Sequence, residues 1–213
     1  MGSALPQPAA AAVKGRKSCL IVLAHPLGKS LNAALARHIC ERAEARGWSV
    51  TFRDLYGAGF QPALTPGERA SHYAGPFDAS GVSAEIAELL AAEILILVYP
   101  TWWFGFPAIL KGWFDRVWAP GHAYDNAEDF GPLRPRLVRL RHVIAVTTLG
   151  SPWWVDWLAL HRPLARVLKR AIIGLCAPGA TFKVLSLYRA EDVSPERFAA
   201  FLARIDRAIR RTP

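Results

Sequence analysis

The chain has 213 residues, 52% of them hydrophobic, with eight Trp and ten Phe, enough apolar material for one sizeable core and a single folded domain. Its longest uncharged stretch, Ile94 to Leu110, is interrupted by Pro100, Gly105 and Pro107 and falls short of the roughly 20 residues of a membrane helix, so no spanning segment is read there. The formal charge of +9 comes without a recognised nucleic-acid motif, and Cys19, Cys40 and Cys176 are too widely spaced for a zinc or redox pair; no metal site is expected, and the thiols suit a reducing, cytoplasmic setting.

Met1 to Lys17 is rich in Ala and Pro, lacks apolar periodicity and lacks the order of a secretory signal, so residues 1–17 are read as a disordered arm and 18–213 as the domain. Cys19 to Ala24 is a continuous apolar run of the kind buried on both faces of a sheet, the first strand. Leu31, Leu35, Ile39 and Ala43 then recur at helical spacing up to Gly47. Ser49 to Arg53 alternates Val50 and Phe52 with polar residues, as a strand nearer an edge does. Gly57 to Gly81 reads as a surface excursion with a short helix near Pro66 to His72, and Ser83 to Ala92 as a full helix. Ile94 to Val98 is the third strand, followed by a helix opening at Pro107 and running through Ile109, Leu110, Trp113, Phe114 and Val117. A connection from Pro120 to Pro135 leads to a fourth strand, Val143 to Thr148, and then a helix from Pro163 to Leu175. Thr181 to Leu187 is the fifth strand, and Ser194-Pro195-Glu196 caps and starts a last helix. Alternating strands and helices imply a parallel five-stranded sheet covered on both faces, an α/β three-layer sandwich of order 2-1-3-4-5.

In such a sheet, ligands gather beyond the carboxyl ends of the strands. After the first strand, His25-Pro26-Leu27-Gly28-Lys29-Ser30-Leu31-Asn32 ends at a helix start, where free amides and the helix dipole favour an anion; an ordinary capped helix offers the same groups. It has neither G-x-G-x-x-G nor a Walker lysine, against a Rossmann dinucleotide site or an NTPase. After the third strand, Tyr99-Pro100-Thr101-Trp102-Trp103-Phe104-Gly105-Phe106-Pro107 gathers five aromatics, suited to covering a flat apolar ring, to a dimer contact, or to the core. After the fourth, Thr147-Thr148-Leu149-Gly150-Ser151 offers hydroxyls and backbone donors for a ring's polar edge.

Three segments carry a family resemblance: Ala24-His25-Pro26 through Ser30-Leu31-Asn32, Asp54-Leu55-Tyr56, and the long run from Trp103-Phe104-Gly105-Phe106-Pro107 to Asp115-Arg116-Val117. Over about Cys19 to Leu187 the chain resembles the NAD(P)H:quinone oxidoreductases related to DT-diaphorase, including the potassium-efflux ancillary reductases. The resemblance implies a flavodoxin-like fold, a bound flavin (FAD, alternatively FMN), and hydride transfer from NAD(P)H through that flavin to quinones or similar two-electron acceptors by a ping-pong mechanism. It assigns the flavin phosphate region to His25, Ser30, Leu31 and Asn32, the isoalloxazine ring to Pro100, Thr101, Trp102, Trp103 and Phe104, and a second flavin loop to Thr147, Thr148, Leu149 and Gly150. Leu149 stands where the family has the first glycine of Thr-Thr-Gly-Gly, a change that bears on the backbone path. His161 matches a histidine of the family's charge relay, whereas Trp153, Trp154 and Val155 occupy the region of its tyrosine. Tyr124 matches a position lining the acceptor pocket across a dimer interface.

The resemblance also carries an alternative, a flavin-binding regulatory subunit of a membrane potassium-efflux transporter. A one-electron carrier of flavodoxin type is disfavoured by the basic charge, since such carriers are generally acidic. A homodimer is expected, because Trp113, Trp118, Tyr124 and the Trp153 to Trp157 cluster exceed the aromatic surface a small domain readily buries.

Overall fold

The computed structural model describes residues 15–127 and 131–213; most of the arm expected over residues 1–17 lies outside them. β1 (Ser18–Leu23), β2 (Ser49–Asp54), β3 (Ile94–Pro100), β4 (His142–Leu149) and β5 (Thr181–Tyr188) pair in parallel in the order β2-β1-β3-β4-β5, the order expected from the sequence. All of β3 is buried, as its unbroken apolar composition requires of a central strand, while only Phe52 is buried in the alternating edge strand β2.

The pleat sends alternate strand residues into two cores. Cys19, Ile21, Leu23, Ile96 and Val98 pack beneath α1 (Leu31–Ala45) and the last helix, α5 (Pro195–Arg211). Leu20, Val22, Leu95, Leu97 and Tyr99 pack on the opposite face against α3 (Ser83–Ala91), α4 (Ala108–Val117) and the helical segment 163–176. The sheet is thus the middle of three layers. Cys19, Cys40 and Cys176 are free and buried, and burial pushes their thiols up, Cys40 to about 12 and Cys176 to about 11.

Several expectations need correction. The helix expected over residues 163–175 is α-helical at Pro163–Arg166, widens to a π-helix at Val167–Ile173, and closes at Gly174–Cys176. The wide turn lets Leu164, Leu168, Ile173 and Cys176 all reach the core, and a Cβ on Gly174 would stand 2.9 Å from the Lys169 carbonyl oxygen. A π-helical turn, Val155–Ala159, was not legible in the sequence, nor was the antiparallel ribbon that pairs Tyr124–Asp125 with Arg134–Pro135. Trp113 and Trp118 pack edge-to-face with Phe114 in the core, so they contribute no surface to a second copy.

The excursion between β2 and α3 is pinned by a buried ion pair rather than lying loosely on the surface. Thr65 caps α2 (Pro66–Ser71) in a reciprocal capping box with Glu68, whose carboxylate accepts from Arg116 Nε at 2.9 Å and from its terminal nitrogen at 2.6 Å. Arg116 also donates to the Gln61 carbonyl. Burial works to raise the Glu68 carboxyl, but its bonds to Arg116 and Thr65 outweigh that and hold it below the ordinary range. A carboxyl depressed in this way stabilises the fold above its unfolded-state pKa, and that stability is lost as pH falls through the folded value. Glu68→Gln leaves the buried guanidinium without its counter-charge, so we expect a loss of about 3 kcal/mol or more. The measurement is the urea midpoint at neutral pH, where an unchanged midpoint would contradict a structural role for the pair.

Candidate functional site

Because β1, β3 and β4 are neighbours in the sheet, their carboxyl ends emerge side by side, and hydrogen bonds tie the three following loops together. Ala24 N donates to the Val98 carbonyl at 2.9 Å, and Thr101 N to the Thr148 carbonyl at 2.8 Å. Thr101 and Thr147 share a hydroxyl–hydroxyl bond of 2.7 Å, and Thr148 Oγ1 donates to Asn32 Oδ1 at 2.9 Å. The imidazole of His25 lies 6.5 Å from the Trp102 ring, centroid to centroid.

The first loop delivers a helix N-terminus. Ser30 Oγ accepts from Ala33 N at 3.1 Å, which caps α1 but leaves the amides of Leu31 and Asn32 without intrahelical acceptors. No acidic side chain occupies that first turn, so the dipole there is not neutralised from within. His25 Nδ1 accepts from Leu27 N at 3.0 Å, and half-burial lowers the imidazole pKa, keeping the ring in the form that can accept. Asn32 is 1% exposed, yet its Nδ2 has no partner among the described residues. A buried amide donor normally finds one.

The second loop is a two-residue hairpin. Trp102 and Gly105 exchange backbone hydrogen bonds of 3.3 and 2.9 Å, and the tip residues, Trp103 and Phe104, have φ of 51° and 55°. Such tips ordinarily carry Asn-Gly, because left-handed backbone costs a bulky L-residue roughly 1–2 kcal/mol. Here the strained tip holds an indole that is 100% exposed. Neither local preference nor the hydrophobic effect explains Trp103 in this position; a flat surface to cover would.

The third loop begins as a continuation of the sheet. Leu149 ends β4 with its side chain buried and its carbonyl accepting from Ala190 N at 2.9 Å, and it does not adopt positive φ, so this path needs no glycine at 149. Gly150 follows, exposed, and then Ser151, whose buried Oγ lacks a partner among the described residues. Asp156, buried in the π-turn, accepts at Oδ2 from the Tyr188 hydroxyl at 2.7 Å, and Tyr188 accepts from Trp157 Nε1 at 2.9 Å. This cluster was missed in the sequence. Its signal was a lone carboxylate in the tryptophan-rich run 151–160, which must find a donor once buried. Beside it, Pro152, Trp153, Trp154, Tyr188, Arg189 and Arg197 line a groove of about 420 Å³. Arg189 N donates to the Ser151 carbonyl at 3.2 Å, and Arg197 to the Tyr188 carbonyl at 2.6 Å, so the groove wall is fixed to the third loop.

His25, Ser30, Leu31, Asn32, Pro100, Thr101, Trp102, Trp103, Phe104, Thr147, Thr148, Leu149 and Gly150 therefore belong to one set of adjoining strand ends. His161 and Tyr124 do not join their hydrogen bonds. His161 is exposed and, with Arg162, takes left-handed dihedrals that turn the chain into Pro163. Tyr124 lies half-buried on the ribbon, its hydroxyl 3.2 Å from His72 Nε2 at the end of α2, and burial raises that phenol to about 12.

A family described as having the flavodoxin-like fold matches residues 17–210. This chain belongs to that family. It is 41% identical over 137 residues, 62% of its length and 64% of the other's, to an uncharacterized NAD(P)H oxidoreductase of Haemophilus influenzae. It is 33% identical over 170 residues, 71% of its length and 61% of the other's, to the NAD(P)H dehydrogenase (quinone) 1 of Rattus norvegicus. The chain thus spans 64% and 61% of the lengths of these curated relatives. The NAD(P)H:quinone oxidoreductase from Methanothermobacter marburgensis superposes with a TM-score of 0.77 at 25% identity, over 93% of this chain and 100% of that one. The resemblance to NAD(P)H:quinone oxidoreductases, expected from the motifs, is borne out by these relatives.

The strained hairpin tip yields a prediction that separates fold from ligand. Replacing Trp103-Phe104 by Asn-Gly is expected to raise stability by about 1–2 kcal/mol in denaturant unfolding, through relief of left-handed strain. A double variant less stable than the parent would mean that the indole packs for the fold's sake. At the other wall, Thr148→Val strands the buried Asn32 carbonyl and should cost about 1–3 kcal/mol in the same assay.

Proposed function

We propose that this chain is a flavin-dependent oxidoreductase that takes reducing equivalents from NAD(P)H and passes them to quinones or similar two-electron acceptors. The observation that carries this reading is the convergence of a helix N-terminus, an exposed strained aromatic tip and unpartnered buried polar groups at three adjoining strand ends. The names of the oxidoreductase relatives support it.

The residues fit a flavin. Its phosphate would meet Ser30 and the first-turn amides of α1, which have no competing carboxylate. Trp102, Trp103 and Phe104, with Pro100 and Thr101, would cover one face of the ring and keep water from it. Thr147, Thr148 and the backbone at Leu149 and Gly150 would hydrogen-bond its polar edge, and Asn32 Nδ2 and Ser151 Oγ would gain the partners they lack. The bound ring supplies two-electron transfer between nucleotide and acceptor. FAD is the reading for the flavin: the groove beside the third loop offers two indoles and a phenol for an adenine to stack on, and Arg189 and Arg197 for a diphosphate. Donor and acceptor use the same opening in turn, which is ping-pong kinetics. A second copy of the chain covering the exposed Trp103, with Tyr73 exposed as well, accords with a homodimer.

The decisive experiment is titration of the purified protein with FAD and with FMN, following quenching of flavin fluorescence. Binding of both is expected, FAD more tightly, with Arg197→Ala narrowing the difference; failure to take up either flavin ends the proposal. In steady state, varying NAD(P)H at several quinone concentrations should give parallel double-reciprocal lines, and intersecting lines would reject the shared opening. His161→Gln and Tyr124→Phe should each lower turnover by at least about tenfold if they act as proton-handling groups toward donor or acceptor. Unchanged turnover removes them from the site.

A further inference from the structure

Apart from Trp153 and Trp154 in the adenine groove and His161, residues 153–175 form a surface that the proposed chemistry leaves unused. Trp153, Trp154, Trp157, Leu158, Leu160, Val167 and Leu175 are all exposed along it, Leu158 at 62%. Between them stand Arg162, Arg166, Lys169 and Arg170, the last three exposed. The segment's one carboxylate, Asp156, is buried and taken up by the Tyr188 hydroxyl. The guanidinium of Arg162 lies 4.2 Å from the Trp157 ring centroid, so cation and indole form a single face. The opposite side of the same segment, through Leu164, Leu168, Ile173 and Cys176, is fixed in the core, so the exposed side chains are held on a rigid support.

Large exposed apolar groups cost hydration unless something covers them. The chemistry of this set selects the cover. Tryptophans favour the headgroup level of a bilayer, where the ring is buried and its N–H stays wet, and interspersed Arg and Lys meet lipid phosphates. A second copy is a poor occupant, because in a two-fold contact the patch faces itself and would bring four cations against four with no carboxylate of its own to offset them. No described helix is long and apolar enough to cross a membrane, so engagement would be in the plane of the interface.

We propose that the 153–175 face docks reversibly on an anionic lipid bilayer. Trp153 and Trp154 also line the groove beside the Gly150 loop, so docking brings the strand ends to the membrane surface. On the reading given above for those strand ends, the acceptor is then a lipid-dissolved quinone taken from the bilayer rather than a water-soluble one.

The test is flotation of the full-length protein with vesicles of pure phosphatidylcholine and of phosphatidylcholine containing about a third phosphatidylglycerol, at low and high salt. Co-flotation with the anionic vesicles only, weakened by salt, is expected. The triple variant Arg166→Glu, Lys169→Glu, Arg170→Glu should weaken binding by at least about fivefold per cation, and the double variant Leu158→Glu, Val167→Glu should also abolish flotation. All five side chains are exposed and outside the flavin-binding residues, so unchanged thermal melting and flavin uptake verify that the fold is intact. Absence of flotation, or equal flotation of the triple variant, overturns the proposal. So does conversion of a dimer to a monomer by the Leu158 and Val167 changes, which would make the face a contact between copies. Flotation needs no turnover, so a protein that binds vesicles but reduces no quinone keeps the docking face and overturns only the reductase reading.

Discussion

The parallel pairing of β3 with β4, carried to the last residues of both strands, is the constraint on which the rest of the molecule depends. Their register runs from Ile94 opposite His142 to Pro100 opposite Thr148, and it continues past the strand as the bond from Thr101 N to the Thr148 carbonyl. With apolar layers on both faces, the central strands present polar side chains only at their ends, as β4 does with Thr147 and Thr148. Chemistry is thereby confined to one edge of the sandwich. The Thr148–Asn32 bond then fixes the opening turn of α1 against that edge, so that an anion-favouring helix start and a wall of aromatic side chains become neighbours despite their separation in the chain.

The site is built by accepting local costs within a well-satisfied frame. Trp103 and Phe104 sit where glycine would be easier, and Asn32 and Ser151 keep polar atoms without a partner among the described residues. The surrounding elements absorb this. The Glu68–Arg116 pair clamps the 57–82 excursion to α4, and α4 descends directly from the hairpin, so the strained tip is mounted on a helix whose far end is tied down. Close packing continues along that helix: a Cβ on Gly112 would fall 2.1 Å from the Pro62 carbonyl oxygen, leaving room there for glycine alone. Strain at functional positions persists only where neighbours over-determine it, and these contacts supply that condition.

Much of the architecture was legible because its signals are local. Ile94 to Val98 and Cys19 to Ala24 read as buried strands from composition, and Ser194-Pro195-Glu196 as a helix start from capping chemistry. What escaped depended on the third dimension. The π-turns at Val155–Ala159 and Val167–Ile173 arise from packing demands, with Gly174 relieving a clash that periodicity cannot reveal. Leu149 looked like a threat to the loop from its place in the motif, but it is a strand residue with an inward side chain, and the backbone freedom expected of its position is not required. Trp113 and Trp118 carry the same bulk as Trp103; only the fold decides that two are core and one is bare.

The three sulfhydryls have a consequence of their own. Each is sealed within a packed layer, where the thiolate that reacts with peroxides or other thiols is scarcely populated. The single methionine is the first residue, so the folded layers contain no thioether either. The described scaffold has thus drawn its sulfur away from the edge where the loops converge, and stray oxidants arriving there would find little sulfur to corrode.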